Sequence, residues 1–558
     1  MKHLLLSFFL VQFVCAGLMA QVAPNYYWVR FTDKDNTPYS IEEPEAFLTE
    51  RALQRREKQG IVIDESDLPV DPDYIAGVAA TGAQIHGVSR WFNSVTVYTT
   101  DPSVLTQINN LPYVLSVQFA GKKEASSTGT EKPFFAAEKI VAAPSAGWEK
   151  NQADELTYDY GAAFNQINML NGQELHNLGF AGQGMIIAVL DAGFYNADVL
   201  EVFDYLWDND RILGYKDFVS PDNPNLFNSH THGTSVLSTM GGYLPGQLVG
   251  TAPEASYWLL RSENGESEYL IEELNWVSAA EFADSVGADV INSSLGYTTF
   301  DDPSMDHTYA DMDGNTTPIT IGADKACSKG IIVVNSAGNS GSSSWLYIGA
   351  PADGDSVFSI GAVDGSGNYA SFSSIGPTAD GRIKPNVVAQ GQGSAVINAY
   401  TGEVSFGSGT SFSSPITAGM VACLWQAYYS GDIVDITNAI MSSGSQANNP
   451  DFYLGYGIPD YMAAYGLLTG IRDNRGLQAR FTITPNPVNK VCYLNLEGLK
   501  LDENSEIVVS TLQGSRLKSE RAGNSQNVAL SMDGIAPGVY VVSVTTSSGT
   551  VSELIVRQ

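Results

Sequence analysis

Met185-Ile186-Ile187-Ala188-Val189-Leu190 is an unbroken apolar run that follows Gly182 and Gly184 and ends on Asp191. Apolar residues without alternation suit a strand buried on both faces, and such a strand needs helices on each side of a mostly parallel sheet. Ile331-Ile332-Val333-Val334 repeats the pattern and runs into Asn335-Ser336-Ala337-Gly338-Asn339. The chain is therefore expected to build an α/β core. In open sheets of that kind, ligands and chemistry gather at the C-terminal ends of the strands, where Asp191 and Asn339 would stand.

Two further segments supply reactive side chains. His232 follows the polar stretch Phe227 to Thr231 and opens an apolar-periodic run through Val236, Leu237 and Met240, which places it at a helix start. Ser411 lies in Gly409-Thr410-Ser411-Phe412-Ser413-Ser414-Pro415, ahead of Ile416, Met420, Val421 and Leu424. Small hydroxyl residues and a proline at a helix start expose the N-terminal amides, whose partial positive charge favours an oxyanion beside the hydroxyl. Serine, histidine and aspartate are the nucleophile, base and orienting group of acyl transfer, and Asn339 is the natural oxyanion donor. Taken singly, Asp191 reads as a strand-end aspartate and Asn339 as a Gly-Asn turn. The conjunction, in the order Asp, His, Asn, Ser, carries the argument.

Residues from about 155 to 470 resemble the subtilisin-like serine proteases, the subtilases, whose four motifs match Asp191, His232, Asn339 and Ser411 in order. The resemblance implies a subtilisin-like, mostly parallel sheet flanked by helices and a serine endopeptidase acting on protein or peptide substrates with no cofactor required for chemistry. It also implies that Asn292-Ser293-Ser294-Leu295-Gly296 pairs with the substrate backbone. Ser336-Ala337-Gly338 would form the opposite wall of the primary pocket, and Gly349 its floor. None of these residues is acidic, so a large apolar residue is expected before the cut. Ala192 stands where the family usually places Ser or Thr. A binding or adhesion protein on the same scaffold is the alternative, expected if a triad member were replaced. An α/β-hydrolase esterase would carry its histidine last, whereas His232 precedes Ser411.

With 558 residues the chain exceeds one core and should divide into domains. Its 29 Lys and Arg against 61 Asp and Glu give a net charge of −32, which argues against nucleic acid and anionic membrane as partners. Structural calcium, carried by many subtilases, is compatible with such acidity; Asp311-Met312-Asp313-Gly314 is only a fragment of a calcium loop. Lys2 and His3, the apolar run Leu4 to Val14 and the small residues Ala16, Gly17 and Ala20 form a signal peptide, 1–20, too short to anchor the protein as a transmembrane segment. Cys327, Cys423 and Cys492 define no disulfide framework, and the first two read as buried helix residues.

Residues 21–120 form a small α+β unit: strands over Tyr26 to Phe31, Ile85 to Thr99 and Val114 to Phe119, and two helices, Pro44 to Gln59 and Pro102 to Asn110. By resemblance it is a propeptide that assists folding and inhibits its own enzyme. Residues 121–154, rich in Ala, Ser, Lys and Glu, read as an exposed linker and processing region. The catalytic domain spans 155–470. After a polar bridge, 471–480, six short strands make a β-sandwich, 481–558. Pro485-Asn486-Pro487, Leu512-Gln513-Gly514 and Ala536-Pro537-Gly538-Val539-Tyr540 resemble the C-terminal sorting domain of type IX secretion in Bacteroidetes. That implies a partner in the secretion machinery and an exported, extracellular or cell-surface protein.

Overall fold

The computed structural model describes residues 25–123, 132, 135, 138–142, 157–469, 480–497, 501, 505–511, 516–521, 527–546 and 549–557. The proposed signal peptide and parts of the linker lie outside these residues.

The N-terminal unit is an antiparallel sheet of β1 (Asn25–Phe31), β2 (Gln84–Ser89), β3 (Ser94–Thr99) and β4 (Val114–Lys122), in the order β2-β3-β1-β4. Val29, Val95 and Val97 make its core with Val78 and Ile108. Three helices accompany the sheet rather than two. Pro72–Ala80 is the addition: Asp71 accepts from the amide of Asp73 and Pro72 opens the first turn, a start signal readable as Asp-Pro. The charged helix is shorter than expected, Glu50–Gln59, because Thr49 caps it and Pro44–Ala46 is a separate turn.

A short strand β5 (Lys139–Ala142) follows. The large domain then contributes β6 (Ile186–Asp191), β7 (Ile212–Asp217), a small hairpin of β8 (Tyr243–Leu244) and β9 (Leu248–Val249), β10 (Ser256–Arg261), β11 (Val290–Ser293), β12 (Ile332–Ser336), β13 (Phe358–Val363) and β14 (Val387–Gln390). Seven of these form a parallel sheet ordered β14-β13-β12-β11-β6-β10-β7. β6 is buried along its whole length, and its side chains divide between two cores. Ile187 and Val189 face the helices His232–Gly241 and Thr410–Ala427, while Ile186, Ala188 and Leu190 face Leu270–Ser285 and Pro318–Ser328. The chain places β7 and β10 on one side of β6 and the later strands on the other. The crevice this reversal opens lies at the C-terminal end of β6, on Asp191.

β15 (Gln392–Ile397) and β16 (Val404–Ser408) form a hairpin, and β5 joins it antiparallel, Ser408 opposite Lys139. The C-terminal unit packs a sheet of β17 (Arg480–Thr484), β18 (Val491–Glu497) and β21 (Asn527–Ser531) against one of β19 (Glu506–Thr511), β20 (Arg516–Arg521), β22 (Gly538–Thr546) and β23 (Gly549–Arg557). β20 adds a strand to the six expected. It is a mostly exposed edge strand rich in charged residues, Arg516, Lys518, Glu520 and Arg521, with no apolar pattern to reveal it. Cys327, Cys423 and Cys492 are buried free thiols, the first two on helices. Among the described residues no helix is long and apolar enough to cross a membrane.

Candidate active site

Asp191 closes β6 and is fully buried. Its Oδ1 accepts from the amide of Ala192 at 2.7 Å and lies 2.7 Å from Nδ1 of His232. His232 is the first residue of its helix, and the residue after it has to be small: a Cβ on Gly233 would lie 2.4 Å from the carbonyl of Gly193 and 3.0 Å from the Asp191 carboxyl carbon. The His-Gly pair thus lets the helix start seat against the strand end. Arg261, at the end of β10, donates to the carbonyl of Ala192 at 3.1 Å and fixes the loop that follows Asp191.

Ser411 sits in the first turn of Thr410–Ala427. Pro415, four residues on, has no amide hydrogen for the Ser411 carbonyl. Ser294 supplies the missing donor, its hydroxyl reaching that carbonyl at 3.0 Å, while Ser411 Oγ points back to the Ser294 carbonyl at 3.5 Å. The helix Thr410–Ala427 is therefore tied to the chain that leaves β11. Asn339 is held from the same helix: its Oδ1 accepts from the amide of Thr410 at 2.8 Å and from its hydroxyl at 3.0 Å. Those bonds orient the amide so that Nδ2 faces the cleft.

Gly296, Ser336, Ala337, Gly338 and Gly349 line one cavity with Asn339, Tyr347 and Ser374. Ser294 and Leu295 point elsewhere, the first to the Ser411 carbonyl and the second into the core. The expectation of a cavity free of acidic groups fails, because Glu268, from the loop ahead of the helix Leu270–Ser285, also lines it. That loop is far in sequence from every wall residue, so local spacing could not reveal it. The Asp311 to Gly314 fragment uses its carboxylates locally: Asp311 accepts from Thr308, and Asp313 from the Asn315 amide and the Thr316 hydroxyl.

The linker carries groups that sequence reasoning missed. Glu138 places Oε2 at 3.1 Å from Nε2 of His232 and Oε1 at 3.3 Å from Nδ2 of Asn339. Its amide donates to the carbonyl of Phe135 at 2.9 Å. The Phe135 ring lies 4.7 Å from both the His230 and His232 rings and is almost completely buried. Burial opposes charge on His232, yet the Asp191 and Glu138 carboxylates outweigh it and raise the imidazole to about 10. His230 is driven the other way, to about 4, by burial and by the charge on His232. With Glu138 in place, the protonated form of His232 is favoured. The signal for this plug was Phe134-Phe135 between Lys132 and Glu138, an aromatic pair in an otherwise Ala- and Ser-rich linker.

The subtilase family profile matches residues 182–457, the Bacteroidota peptidase S8 propeptide domain matches 26–133, and the secretion system C-terminal sorting domain matches 482–558. Subtilisin DY of Bacillus licheniformis is 30% identical over 301 residues, which cover 53% of this chain and 97% of that protein. Subtilisin NAT of Bacillus subtilis subsp. natto is 28% identical over 354 residues, covering 62% and 82%. Serine protease AprX of Bacillus subtilis is 31% identical over 283 residues, covering 46% and 59%. The α/β core, the acyl-transfer motifs and these matches agree: the chain belongs to the subtilase family of serine endopeptidases, made with a propeptide and a type IX sorting tail.

Proposed function

We propose that Ser411, His232 and Asp191 are the catalytic triad and that Asn339 donates to the oxyanion. The observation that carries this reading is the 2.7 Å contact of His232 with a buried strand-end carboxylate; Ser411, in the first turn of its own helix, turns its hydroxyl to the Ser294 carbonyl at 3.5 Å while Glu138 occupies Nε2. Release of Glu138 would free Nε2 to take the Ser411 proton as Oγ attacks the scissile carbonyl. The C–N bond then breaks as the imidazolium gives that proton to the leaving amine. Water, deprotonated by His232, hydrolyses the acyl-enzyme and regenerates the serine. Asn339 Nδ2 and the helix N-terminal amides stabilise the oxyanion in both steps. No cofactor enters this chemistry; a structural calcium would affect stability alone.

The residue before the cut is proposed to be large and apolar, because Gly296, Ala337, Gly338 and Gly349 leave room along the walls, and Glu268, the carboxylate in the lining, turns its Oε2 toward Lys132 at 3.3 Å. The proposed order is signal peptide 1–20, propeptide 21–120, processing region 121–154, catalytic domain 155–470, bridge 471–480 and sorting domain 481–558. The sorting tail implies a secreted or cell-surface protein. Ser411→Ala is expected to lower peptidase activity by roughly 10⁴ to 10⁶ and to leave the propeptide attached. Asn339→Ala should lower turnover by about 10²- to 10³-fold with little change in substrate affinity. A Ser411→Ala protein that cleaves peptides normally would refute the assignment.

A further inference from the structure

Glu263, Glu268 and Glu272 bring carboxylate oxygens within 4.8 Å of one another, and all three residues are buried. Three buried acidic groups repel one another and lose hydration, a cost that a cation at their centre or protonation offsets. In this chain the cation is the Lys132 ammonium, from the linker. It contacts Glu263 and Glu272 directly and lies 3.3 Å from Glu268, with its own side chain only 4% exposed. Two of the acids have further partners: Glu263 accepts from the Tyr297 hydroxyl, and Glu272 from the amides of Asn264 and Tyr269. Glu268 differs. Its Oε1 is buried without a hydrogen-bond donor, and the same residue lines the substrate cavity with Gly338, Asn339 and Gly349.

Lys132 belongs to the segment that also carries Phe135 and Glu138 into the cleft. Processing in the linker, which the endopeptidase reading implies, would remove this lysine and leave three carboxylates without it, of which Glu268 lines the substrate cavity. We propose that this cluster is a specificity site for a basic side chain, Lys or Arg, in the substrate upstream of the residue preceding the scissile bond, and that Lys132 is its internal stand-in. The proposal rests on the endopeptidase reading but not on the apolar primary pocket.

The test is a set of fluorogenic peptides cut by the mature enzyme, with Phe fixed before the bond and Lys, Arg or norleucine placed in turn at the second to fifth residues upstream. Norleucine keeps the stem of lysine and removes its charge. At one position Lys and Arg should raise kcat/KM about tenfold or more over norleucine, and that ratio should collapse in Glu268→Gln and in Glu263→Gln. Each ratio is taken within a single variant, so a general loss of activity cancels. Hydrolysis of every peptide at equal rate would leave the endopeptidase intact and overturn the inference, as would a preference that survives both substitutions. Equal rates together with calcium-dependent thermal protection, lost in Glu268→Gln, would assign the cluster to a metal and likewise overturn it.

Discussion

Glu138 and His232 are coupled through a proton. With the linker docked, His232 titrates near 10 against an ordinary 6.5, because Asp191 and Glu138 both face it while His230, on the other flank, stays neutral. The docked state therefore holds a proton that a released state gives up between those values. Docking is fully favoured below the released-state value, which Asp191 itself keeps above the ordinary 6.5, and is lost as pH rises from there through about 10, by at most about 1.4 kcal/mol per pH unit. Asp191 remains beside His232 after release, so only the Glu138 share of the shift drives the effect. In the Ser411→Ala protein, an added protease should cut the linker faster as pH rises from 7 to 10, relative to a free peptide of the same sequence. Glu138→Gln should cut quickly at every pH in that range. A linker equally protected from pH 7 to 10 would show that Glu138 does not hold it.

At the scale of elements, the tie between β11 and the serine helix makes a different kind of statement. Ser294→Ala would leave the Ser411 carbonyl, already without its helical donor because of Pro415, buried and unsatisfied. Such a loss costs about 1–3 kcal/mol, to be read as a lower denaturation midpoint at unchanged m-value; an unchanged midpoint would mean that the carbonyl has another donor. The strand runs, the helix starting at His232 and the helix starting at Ser411 were legible in sequence because apolar periodicity and helix-start chemistry are local. Pro72–Ala80 was legible in principle through Asp71-Pro72, whereas β20 was not, since an exposed edge strand need not alternate. The same division holds in the site. Asp191, His232, Asn339 and Ser411 stood in recognisable segments, but Ser294 meets Ser411, Glu138 meets Asn339 and Glu268 meets Lys132 across more than a hundred residues in sequence. No local pattern encodes such pairings.

For the whole molecule, the propeptide and the catalytic domain meet over a buried ionic centre. Asp284, on the helix Leu270–Ser285, receives Arg55, Arg56 and Arg90 from the N-terminal unit, at 2.5, 2.9 and 2.5 Å. Beside it, Glu281 accepts the backbone amides of Arg90 and Trp91, and Arg56 is shared with Asp67 of its own unit. Burial raises the cost of ionising Asp284, yet the three guanidinium groups hold its pKa below the usual carboxylate value. A centre of this kind adds little over a well-packed apolar contact, but removing one partner is expensive because the remaining charges stay buried. Asp284→Asn would leave three cations around a neutral amide, a penalty of about 3–5 kcal/mol, equivalent to a weakening of the domain contact by roughly a hundredfold to a few thousandfold. An enzyme freed of residues 21–120, as proposed, would lack the three arginines, so its own fold should tolerate the change. In calorimetry of the Ser411→Ala proenzyme, the N-terminal unit is therefore expected to unfold in a separate, earlier transition once Asp284 is replaced, with the catalytic transition little moved. A single transition at the original temperature would show that apolar contacts, such as Trp28 and Ala120 against Tyr269, Ile271 and Leu274, hold the two units together without the ionic centre.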